Sequence, residues 1–252
     1  MDLPTAARRG IASLDLTDLN DDSSDDAVRE LCARAQTKHG PTAAVCVWPS
    51  FISTAAAALN RTNIKIATVV NFPTGQEPIE DVVDAAERAI AEGAHEIDLV
   101  IPYAGLLEGY PNDVTATVAR VKEVCGPARL KAILETGMLG DAGLIRQATK
   151  LALEGGADFL KTSTGKVPVN ATLTASRILL EEIKAHGESV GFKPAGGIRT
   201  TADIAAYLSM CDEVMGEGWA KPALFRIGAS GVLTALIATL DGTAAPVADS
   251  GY

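Results

Sequence analysis

The sequence predicts an α/β protein folded as a single (β/α)8 barrel over residues 1–252, with a short N-terminal extension and a mobile C-terminal tail. Strand-like apolar runs alternate with helical patterns along the chain, which favours parallel strands joined by right-handed crossovers. The length of 252 residues suits one α/β barrel, and 47% apolar residues can build a large core. An open doubly wound sheet is the alternative, but its glycine-rich turn after the first strand is replaced by Trp48, Pro49 and Ser50.

Eight apolar runs are predicted to be strands, and the helical patterns lie between them. The predicted strands cover residues 44–48, 66–71, 96–101, 129–135, 158–162, 190–194, 213–215 and 224–228. The predicted helices include residues 78–92, 112–124, 141–154, 172–186 and 201–210. Several helices run into glycine, which is typical of helix C-termini. The seventh strand is short, so it has the least support from its pattern.

The amino-acid composition limits which classes of binding partner and which cellular compartment fit this protein. The formal net charge of −10 argues against nucleic acid or an anionic membrane as a bulk partner. Residues 40–60 carry no charge, yet Gly40, Pro41 and Pro49 interrupt them, so we expect a strand, a turn and a helix rather than a membrane span. No signal-like apolar stretch follows Met1, and the four separated cysteines suit reduced thiols. A cytoplasmic protein is expected.

Two further segments invite interpretation. Residues 15–26 are acidic, but Ser23 stands where a calcium loop of the EF-hand type needs glycine, so we interpret the segment as a solvated loop with a helix N-cap. Residues 241–252 contain glycine, alanine, proline and serine with almost no large apolar residue. We expect this tail to be mobile and long enough to reach the mouth of a barrel.

The ends of two strands carry lysine. Lys161 and Lys193 each end an apolar run and precede a glycine-bearing loop, where barrel enzymes place reactive groups. A lone lysine with a pKa near 10.4 is a neutral amine in only about one molecule in 2,500 at pH 7. A second ammonium nearby, helped by partial burial, would lower that pKa and free a nucleophile able to form a Schiff base. The alternative is that both lysines lie at the protein surface and have no catalytic role.

Carboxylates in the predicted barrel supply a proton shuttle. Asp98 stands inside an apolar strand, so it is either a proton relay or a structural partner of a buried lysine. Glu135 ends the fourth predicted strand and is a weaker candidate for the same network. Glycines near Gly196 and Gly228 predict an anion site with donors from Lys166, Arg199 and Ser230, although tight turns would explain the same glycines.

Four segments resemble the deoxyribose-phosphate aldolase family. They are NFPTG at residues 71–75, KTSTGK at 161–166, FKPAGGIR at 192–199 and FRIGAS at 225–230. The likeness extends over almost the whole chain, from LDLT at residues 14–17 to the terminal tyrosine. It implies a class I aldolase that reversibly cleaves 2-deoxy-D-ribose 5-phosphate to D-glyceraldehyde 3-phosphate and acetaldehyde.

The resemblance also assigns roles. Lys161 would be the Schiff-base lysine, Lys193 the neighbour that depresses its pKa, Asp98 the proton-relay acid and Tyr252 a proton donor or acceptor. The residues expected at the substrate phosphate are Thr164, Gly165, Lys166, Gly196, Gly197, Arg199, Gly228 and Ser230. Gly231 stands where the family has a second serine, and Cys46 matches a thiol that we interpret as packing. No metal and no organic cofactor are implied.

Other functions stay open at this point. A different lysine-using enzyme, such as a pyridoxal-phosphate barrel or another class I aldolase, would share the two lysines. A non-catalytic phosphosugar-binding protein would keep the pocket without the chemistry, but the presence of Asp98 with Lys161 and Lys193 argues against it. The expected partner is a small phosphorylated sugar, and a homodimer is also expected.

Overall fold

The computed structural model describes residues 1–187 and 189–243, and in them eight parallel strands form a barrel. The strands are β1 (Leu14–Asp18), β2 (Ala44–Val47), β3 (Lys65–Val70), β4 (Glu96–Val100), β5 (Arg129–Ile133), β6 (Phe159–Lys161), β7 (Gly191–Lys193) and β8 (Ile227–Ala229). They pair in chain order, and β8 returns to pair with β1. Bridges from Phe192 to Phe225 and from Ala195 to Gly228 join the last two strands. The barrel prediction is confirmed.

Helices surround this barrel. They are α1 (Leu3–Ala12), α2 (Asp25–Arg34), α3 (Ile52–Leu59), α4 (Ile79–Ala91), α5 (Tyr103–Leu107), α6 (Asn112–Cys125), α7 (Thr136–Leu139), α8 (Ala142–Glu154), α9 (Leu173–His186), α10 (Thr201–Met215) and α11 (Val232–Asp241). An antiparallel pair of two-residue strands, Gln36–Thr37 and Gly40–Pro41, lies outside the barrel. The predicted helices match the observed ones, although α10 runs five residues further than the 201–210 predicted for it.

One strand prediction and part of one loop prediction were wrong, and both errors have a physical reason. Residues 213–215 are the last turn of α10, because Leu208, Cys211 and Val214 are buried at a helical spacing. Residues 15–18, the first part of the segment predicted to be a solvated loop, belong to β1 (Leu14–Asp18) and are largely buried. The interior of this barrel is charged, so β1 contains a buried aspartate, Asp15. An aspartate in a short segment is more typical of an exposed loop, which is why the sequence pattern predicts one. The N-cap part of that interpretation is confirmed, since Ser24 accepts from the N–H of Ala27 at the start of α2.

The N-terminal extension and the uncharged segment both form ordered structure. Helix α1 packs on α10 and α11, and a Cβ added to Gly10 would lie 3.0 Å from Ile204 Cγ2. Residues 40–60 contain β2, a single 3-10 turn at Pro49–Phe51 and α3, as the sequence predicts. Across the described residues, no helix combines the length and the apolar character that crossing a membrane requires.

The first residue of the predicted mobile tail, Asp241, belongs to a helix. Asp241 is the last residue of α11, and its carboxylate contacts Lys38 Nζ at 2.9 Å and His39 Nε2 at 2.8 Å. The prediction of a mobile tail is therefore wrong at Asp241, because an ion pair to Lys38 and a hydrogen bond with His39 hold this residue on the body of the protein. Residues 244–252, and with them Tyr252, lie outside the described residues.

The hydrophobic core lies mainly between the strands and the helices. A second, smaller apolar cluster consists of four buried residues, with Trp48 and Phe72 packed against it: Leu19, Cys46, Ala67 and Val69. Charged side chains are buried as well, which is unusual and costly unless each charge is paired. Their positions define the site.

Candidate active site

Strand register brings four ionisable residues together inside the barrel. Lys161 on β6 pairs with Lys193 on β7, and Asp98 on β4 pairs with Lys131 on β5. Directly paired residues on neighbouring strands point to the same side of a sheet, so each pair enters the interior together. All four side chains are buried, and the largest exposure among them is 2% at Lys161. The sequence therefore folds these groups into one water-poor volume.

Asp98 connects the three lysines. Its Oδ2 accepts from Lys161 Nζ at 2.9 Å and from Lys193 Nζ at 2.8 Å. Its Oδ1 accepts from Lys131 Nζ at 2.7 Å. The two lysines singled out in the sequence thus share one carboxylate oxygen, and the carboxylate singled out with them supplies it.

The network continues toward the opposite end of the barrel. Asp15 Oδ2 lies 2.6 Å from Lys193 Nζ, and Asp15 Oδ1 accepts from Arg226 at 2.7 Å. Arg226 also donates two hydrogen bonds to Glu96, at 2.7 and 3.0 Å. Glu96 Oε2 in turn lies 2.7 Å from Lys131 Nζ. Three buried carboxylates and four buried cations are joined in this way.

Sequence reasoning missed four members of this network: Asp15, Glu96, Lys131 and Arg226. The signal was present in part. Lys131 stands in an apolar strand just as Lys161 does, and Glu96 precedes Asp98 by two residues, so both carboxylates share one face of β4. Arg226 lies within a segment that was examined for its glycines rather than for its guanidinium.

The surroundings drive the pKa values of the two central lysines in opposite directions. Burial lowers the pKa of Lys161 from 10.5, with a further push from the Lys193 charge, and Asp98 only partly opposes this. Burial also acts on Lys193, but Asp15 and Asp98 outweigh it and raise its pKa above 10.5. The sequence predicts that repulsion between two ammonium groups is the main cause of the lowered pKa of Lys161. In the structure desolvation is the larger cause, because the side chain is fully enclosed.

The other groups of the site stay in their ordinary charge states at neutral pH. Burial would raise the pKa of Asp98, but Lys131, Lys161 and Lys193 hold it well below 3.8. The thiol of Cys46 has a pKa raised to about 11 by burial, so it is neutral and packs in the small apolar cluster. That agrees with its interpretation as a packing residue. All four cysteines are free and buried.

Glu135 is placed differently from the expectation. It has a left-handed backbone with φ 52°, and its carboxylate accepts from the N–H and the hydroxyl of Thr164 in the loop after β6. Thr164 Oγ1 accepts from the N–H of Lys166 at 3.0 Å. Burial raises the pKa of Glu135. Glu135 thus shapes the loop that follows Lys161 and makes no hydrogen bond to Asp98.

Of the residues predicted to bind phosphate, Gly228 lies within β8, and the others lie in the segments that follow β6, β7 and β8, at one rim of the barrel. The N–H groups of Gly196 and Gly228 are engaged in barrel closure, to Gly228 O at 3.3 Å and Pro194 O at 2.9 Å. Gly197 is exposed with φ 78°, and a Cβ there would meet nothing within 4 Å. Lys166 Nζ donates to Leu19 O at 2.8 Å across this rim.

The other residues predicted to bind phosphate differ in their exposure to solvent. Arg199 is exposed, and its N–H donates to the Asp203 carboxylate at 3.0 Å. Ser230 is half-buried just before α11, Gly165 is half-buried and Thr164 is buried. In the described part of the chain, no group of three or more His, Cys, Asp or Glu side chains is arranged to hold a metal ion.

Comparison with known proteins settles the family. A family model described as "DeoC/LacD family aldolase" matches residues 10–235. The chain belongs to this aldolase family. A curated deoxyribose-phosphate aldolase from Agrobacterium fabrum is 48% identical over 249 residues, which cover 98% of this chain and 96% of that protein.

Solved structures agree with the assignment. A Toxoplasma gondii protein assigned as deoxyribose-phosphate aldolase, in its apo form, superposes on this aldolase with a TM-score of 0.88 at 26% identity, covering 97% of this chain and 99% of that one. The tetrameric enzyme of that name from Aeropyrum pernix has a TM-score of 0.77 at 24% identity, covering 94% and 92%, and shows the shared fold. Family membership favours an aldolase over a pyridoxal-phosphate barrel or a non-catalytic binding protein.

Proposed function

We propose that this aldolase reversibly cleaves 2-deoxy-D-ribose 5-phosphate to D-glyceraldehyde 3-phosphate and acetaldehyde through a Schiff base on Lys161. The observation that carries the proposal is the pair of lysines on one Asp98 oxygen, of which Lys161 has a lowered pKa and Lys193 a raised one. The close relative from Agrobacterium fabrum supports the choice of substrate. The reaction as proposed requires neither a metal ion nor an organic cofactor.

The chemistry follows from a neutral amine. Lys161 Nζ attacks the C1 aldehyde of the open-chain sugar, and loss of water from the adduct gives a protonated imine. The imine withdraws electrons, so the C3 hydroxyl loses its proton and the C2–C3 bond breaks. D-Glyceraldehyde 3-phosphate leaves, and C2 of the remaining enamine takes a proton. Hydrolysis of the imine then releases acetaldehyde and restores the amine.

Proton transfer in this scheme belongs to the groups around Lys161. Asp98 stays ionised and orients both lysines through hydrogen bonds, and Lys193 stays charged as the donor next to it. Tyr252, which lies outside the described residues, is proposed to donate or accept the proton at substrate carbon or oxygen, since a phenol suits either role.

The phosphate group is proposed to bind at the rim formed after β6, β7 and β8. Barrels often bind phosphate in their last loops and at a helix N-terminus. Gly197 and Ser230 are proposed to contact the phosphate, and Lys166 and Arg199 to supply positive charge. The glycines Gly196 and Gly228 act indirectly by closing the barrel beneath, while Thr164 and Gly165 shape the loop that carries Lys166.

The setting of the enzyme is also part of the proposal. Four free, buried cysteines are compatible with a reducing compartment, so we place the enzyme in the cytoplasm. A homodimer is our expected assembly, and light scattering measures it directly.

Trapping of the imine tests the proposed function. The enzyme is incubated with 2-deoxy-D-ribose 5-phosphate and borohydride, digested and mapped by mass spectrometry. We expect a reduced two-carbon or five-carbon adduct on the peptide that contains Lys161 and none on Lys193. The Lys161→Met variant should lose both the adduct and retro-aldol activity. An adduct on Lys193, or full activity in Lys161→Met, would refute the assignment.

A further inference from the structure

The buried ion-pair network of the barrel does not balance if every group in it is ionised. The carboxylates number three and the cations four: Asp15, Glu96 and Asp98 against Lys131, Lys161, Lys193 and Arg226. Three of those cations offset the three anions, and the fourth is in excess. An excess charge in a water-poor interior is costly, so the network is expected to leave one cation deprotonated.

The pKa directions identify that cation as Lys161. The pKa values of Lys131, Lys193 and Arg226 are all raised by carboxylate partners, despite burial. Those of Asp15, Glu96 and Asp98 are lowered by their cationic partners. Lys161 is the single cation of the network whose pKa is lowered, mainly by burial. Its neutrality is thus a property of the whole network and not only of its contact with Lys193.

We propose that Glu96 and Arg226 are positioning residues that set the charge state of Lys161 from the far end of this network. The inference rests on the proposed function, because it concerns the same nucleophile. Glu96 contacts Lys131 at 2.7 Å, and Lys131 contacts Asp98 at 2.7 Å. Arg226 contacts Asp15 at 2.7 Å, and Asp15 contacts Lys193 at 2.6 Å. Two chains of ion pairs therefore connect this pair to the Asp98 carboxylate that holds Lys161: one through Lys131 to Oδ1, the other through Lys193 to Oδ2, which also contacts Lys161.

The position of the pair separates it from substrate. Glu96 is the first residue of β4 and Arg226 precedes β8, so both lie at the N-terminal ends of strands. They line a cleft of about 470 Å³ at that end of the barrel, together with His39, Lys65 and Arg129. Each is 5% exposed or less. Barrel enzymes bind substrate at the opposite end, so the pair acts on the reaction only through other residues.

Charged and titratable groups face this system from every neighbouring strand. Those near Lys161 besides the network members are Cys46 and Glu135. Those near Glu96 and Arg226 are His39, His95, Lys65 and Arg129. The Phe159 ring lies 5.6 Å from Arg129 and 5.8 Å from Arg226. Cys46 is neutral at pH 7. Glu135 is buried too, but burial raises its pKa, and in the described structure it forms no ion pair with the network, so the excess cation remains within the network.

Charge removal at the two positions should shift Lys161 in opposite directions. In Glu96→Gln the excess positive charge grows, so protonation of Lys161 becomes harder and its pKa falls. In Arg226→Met the excess disappears, so the pKa of Lys161 rises. At a separation of ~10 Å and an effective dielectric near 20, each shift is about one pH unit. The double variant should return close to the wild-type value, and Arg226→Lys, which keeps the charge, should do the same.

Two readouts make the test independent of turnover. The first is the rate at which acetic anhydride labels Lys161 as a function of pH, read by peptide mass spectrometry. The second is the acidic limb of kcat/KM for retro-aldol cleavage. We expect both midpoints to fall in Glu96→Gln and to rise in Arg226→Met. The exposed Arg120–Glu80 pair provides a matched control, and Arg120→Met should leave both midpoints unmoved.

The outcomes separate this inference from the proposed function. If wild-type enzyme forms no borohydride-stable adduct on Lys161, the proposed function fails. If the adduct forms there but the midpoint of folded Glu96→Gln stays at the wild-type value, or moves upward, only the positioning role is overturned. Should Arg226→Met not fold, Glu96→Gln and Arg226→Lys still decide the question, because a purely structural pair would alter stability without moving the labelling midpoint.

Discussion

Lys161 and Lys193 contact the same oxygen of Asp98, yet their protonation differs because Lys193 has a second carboxylate partner. Asp15 lies 2.6 Å from Lys193 Nζ, while Lys161 has Asp98 alone as a carboxylate within ion-pair distance in the described structure. Both side chains are desolvated to a similar degree. One additional ion pair therefore decides which lysine keeps its proton and which supplies a lone pair.

Replacing each lysine by methionine should change stability with opposite sign. The pKa of Lys161 is lowered on folding, so between that pKa and 10.5 the unfolded chain binds more protons and the amine opposes folding. Lys161→Met should raise the free energy of unfolding at pH 7 by about 1 kcal/mol, or roughly 2–4 °C in Tm. Lys193→Met should lower it by about 3–5 kcal/mol, since Asp15 loses its closest partner. Urea unfolding measures both.

A loss of stability in Lys161→Met as large as that in Lys193→Met would contradict this explanation. It would mean that both amines are charged and paired in the folded enzyme. Because methionine replaces lysine in both variants, the comparison holds side-chain volume and shape nearly constant.

At the scale of elements, three short strands carry much of the site. β6, β7 and β8 have three residues each, and the close approach of β8 to β7 requires glycine at position 228. A Cβ there would lie 2.8 Å from Ala195 Cβ and 3.0 Å from Lys193 Cε. The side chain of Lys193 therefore occupies space that is open because residue 228, on the next strand, has no side chain.

Gly228→Ala should therefore disturb Lys193 directly. Overpacking at this point is expected to cost about 1–3 kcal/mol of stability and to lower kcat, since Lys193 must move from Asp98. Gly231→Ala is the matched control, because φ there is −82° and an added Cβ would meet nothing within 4 Å. Unfolding curves and steady-state kinetics on both variants check the prediction. Equal effects at the two glycines would show that the contact with Lys193 is unimportant.

Helices and strands are predictable from the sequence where the spacing of apolar residues is unambiguous. They are not where a buried charged residue interrupts the apolar pattern. The helix patterns and seven of the eight apolar strand runs are recognisable from spacing alone. β1 escaped because Asp15 and Thr17 alternate with Leu14 and Leu16, which reads as half-exposed although all four are buried. Residues 213–215 were taken for a strand because a run of three residues has no measurable period.

For the molecule as a whole, the buried, hydrogen-bonded charged groups inside the barrel make the free energy of unfolding depend on pH. The pKa values of Asp15, Glu96 and Asp98 are lowered on folding from the ordinary 3.8 and 4.5, so their contribution is fully present above about pH 4.5. It is lost as the pH falls through the lower folded values. Glu135 acts with the opposite sign, because burial raises its pKa.

Acid should thus destabilise the enzyme steeply once unfolded carboxylates begin to protonate. We expect the free energy of unfolding in urea to decline below about pH 4.5, at up to roughly 1.4 kcal/mol per pH unit for each lowered carboxylate. The decline should be shallower in Glu96→Gln, which lacks one of them. A free energy of unfolding that is constant from pH 6 to pH 3 would be inconsistent with paired, buried carboxylates.

The candidate site was predictable only in part. Lys161, Lys193 and Asp98 stand out because a charge in an apolar strand is rare, and their convergence follows from strand order. The pairing of Asp15 with Lys193 and of Glu96 with Arg226 joins distant parts of the chain, so it depends on barrel closure and register. Sequence spacing does not reveal either. Desolvation, the main cause at Lys161, likewise becomes apparent only once the surrounding chain is placed.

The central claim is that Lys161 is the lysine that gives up its proton while Lys193 keeps its own. Nuclear magnetic resonance of the free enzyme with 15N-labelled lysine, assigned through Lys161→Met and Lys193→Met, follows each Nζ through a pH titration. We expect Lys161 to titrate below 10.5 and Lys193 above it. Titration of Lys161 at or above 10.5, or of Lys193 before Lys161, would contradict it.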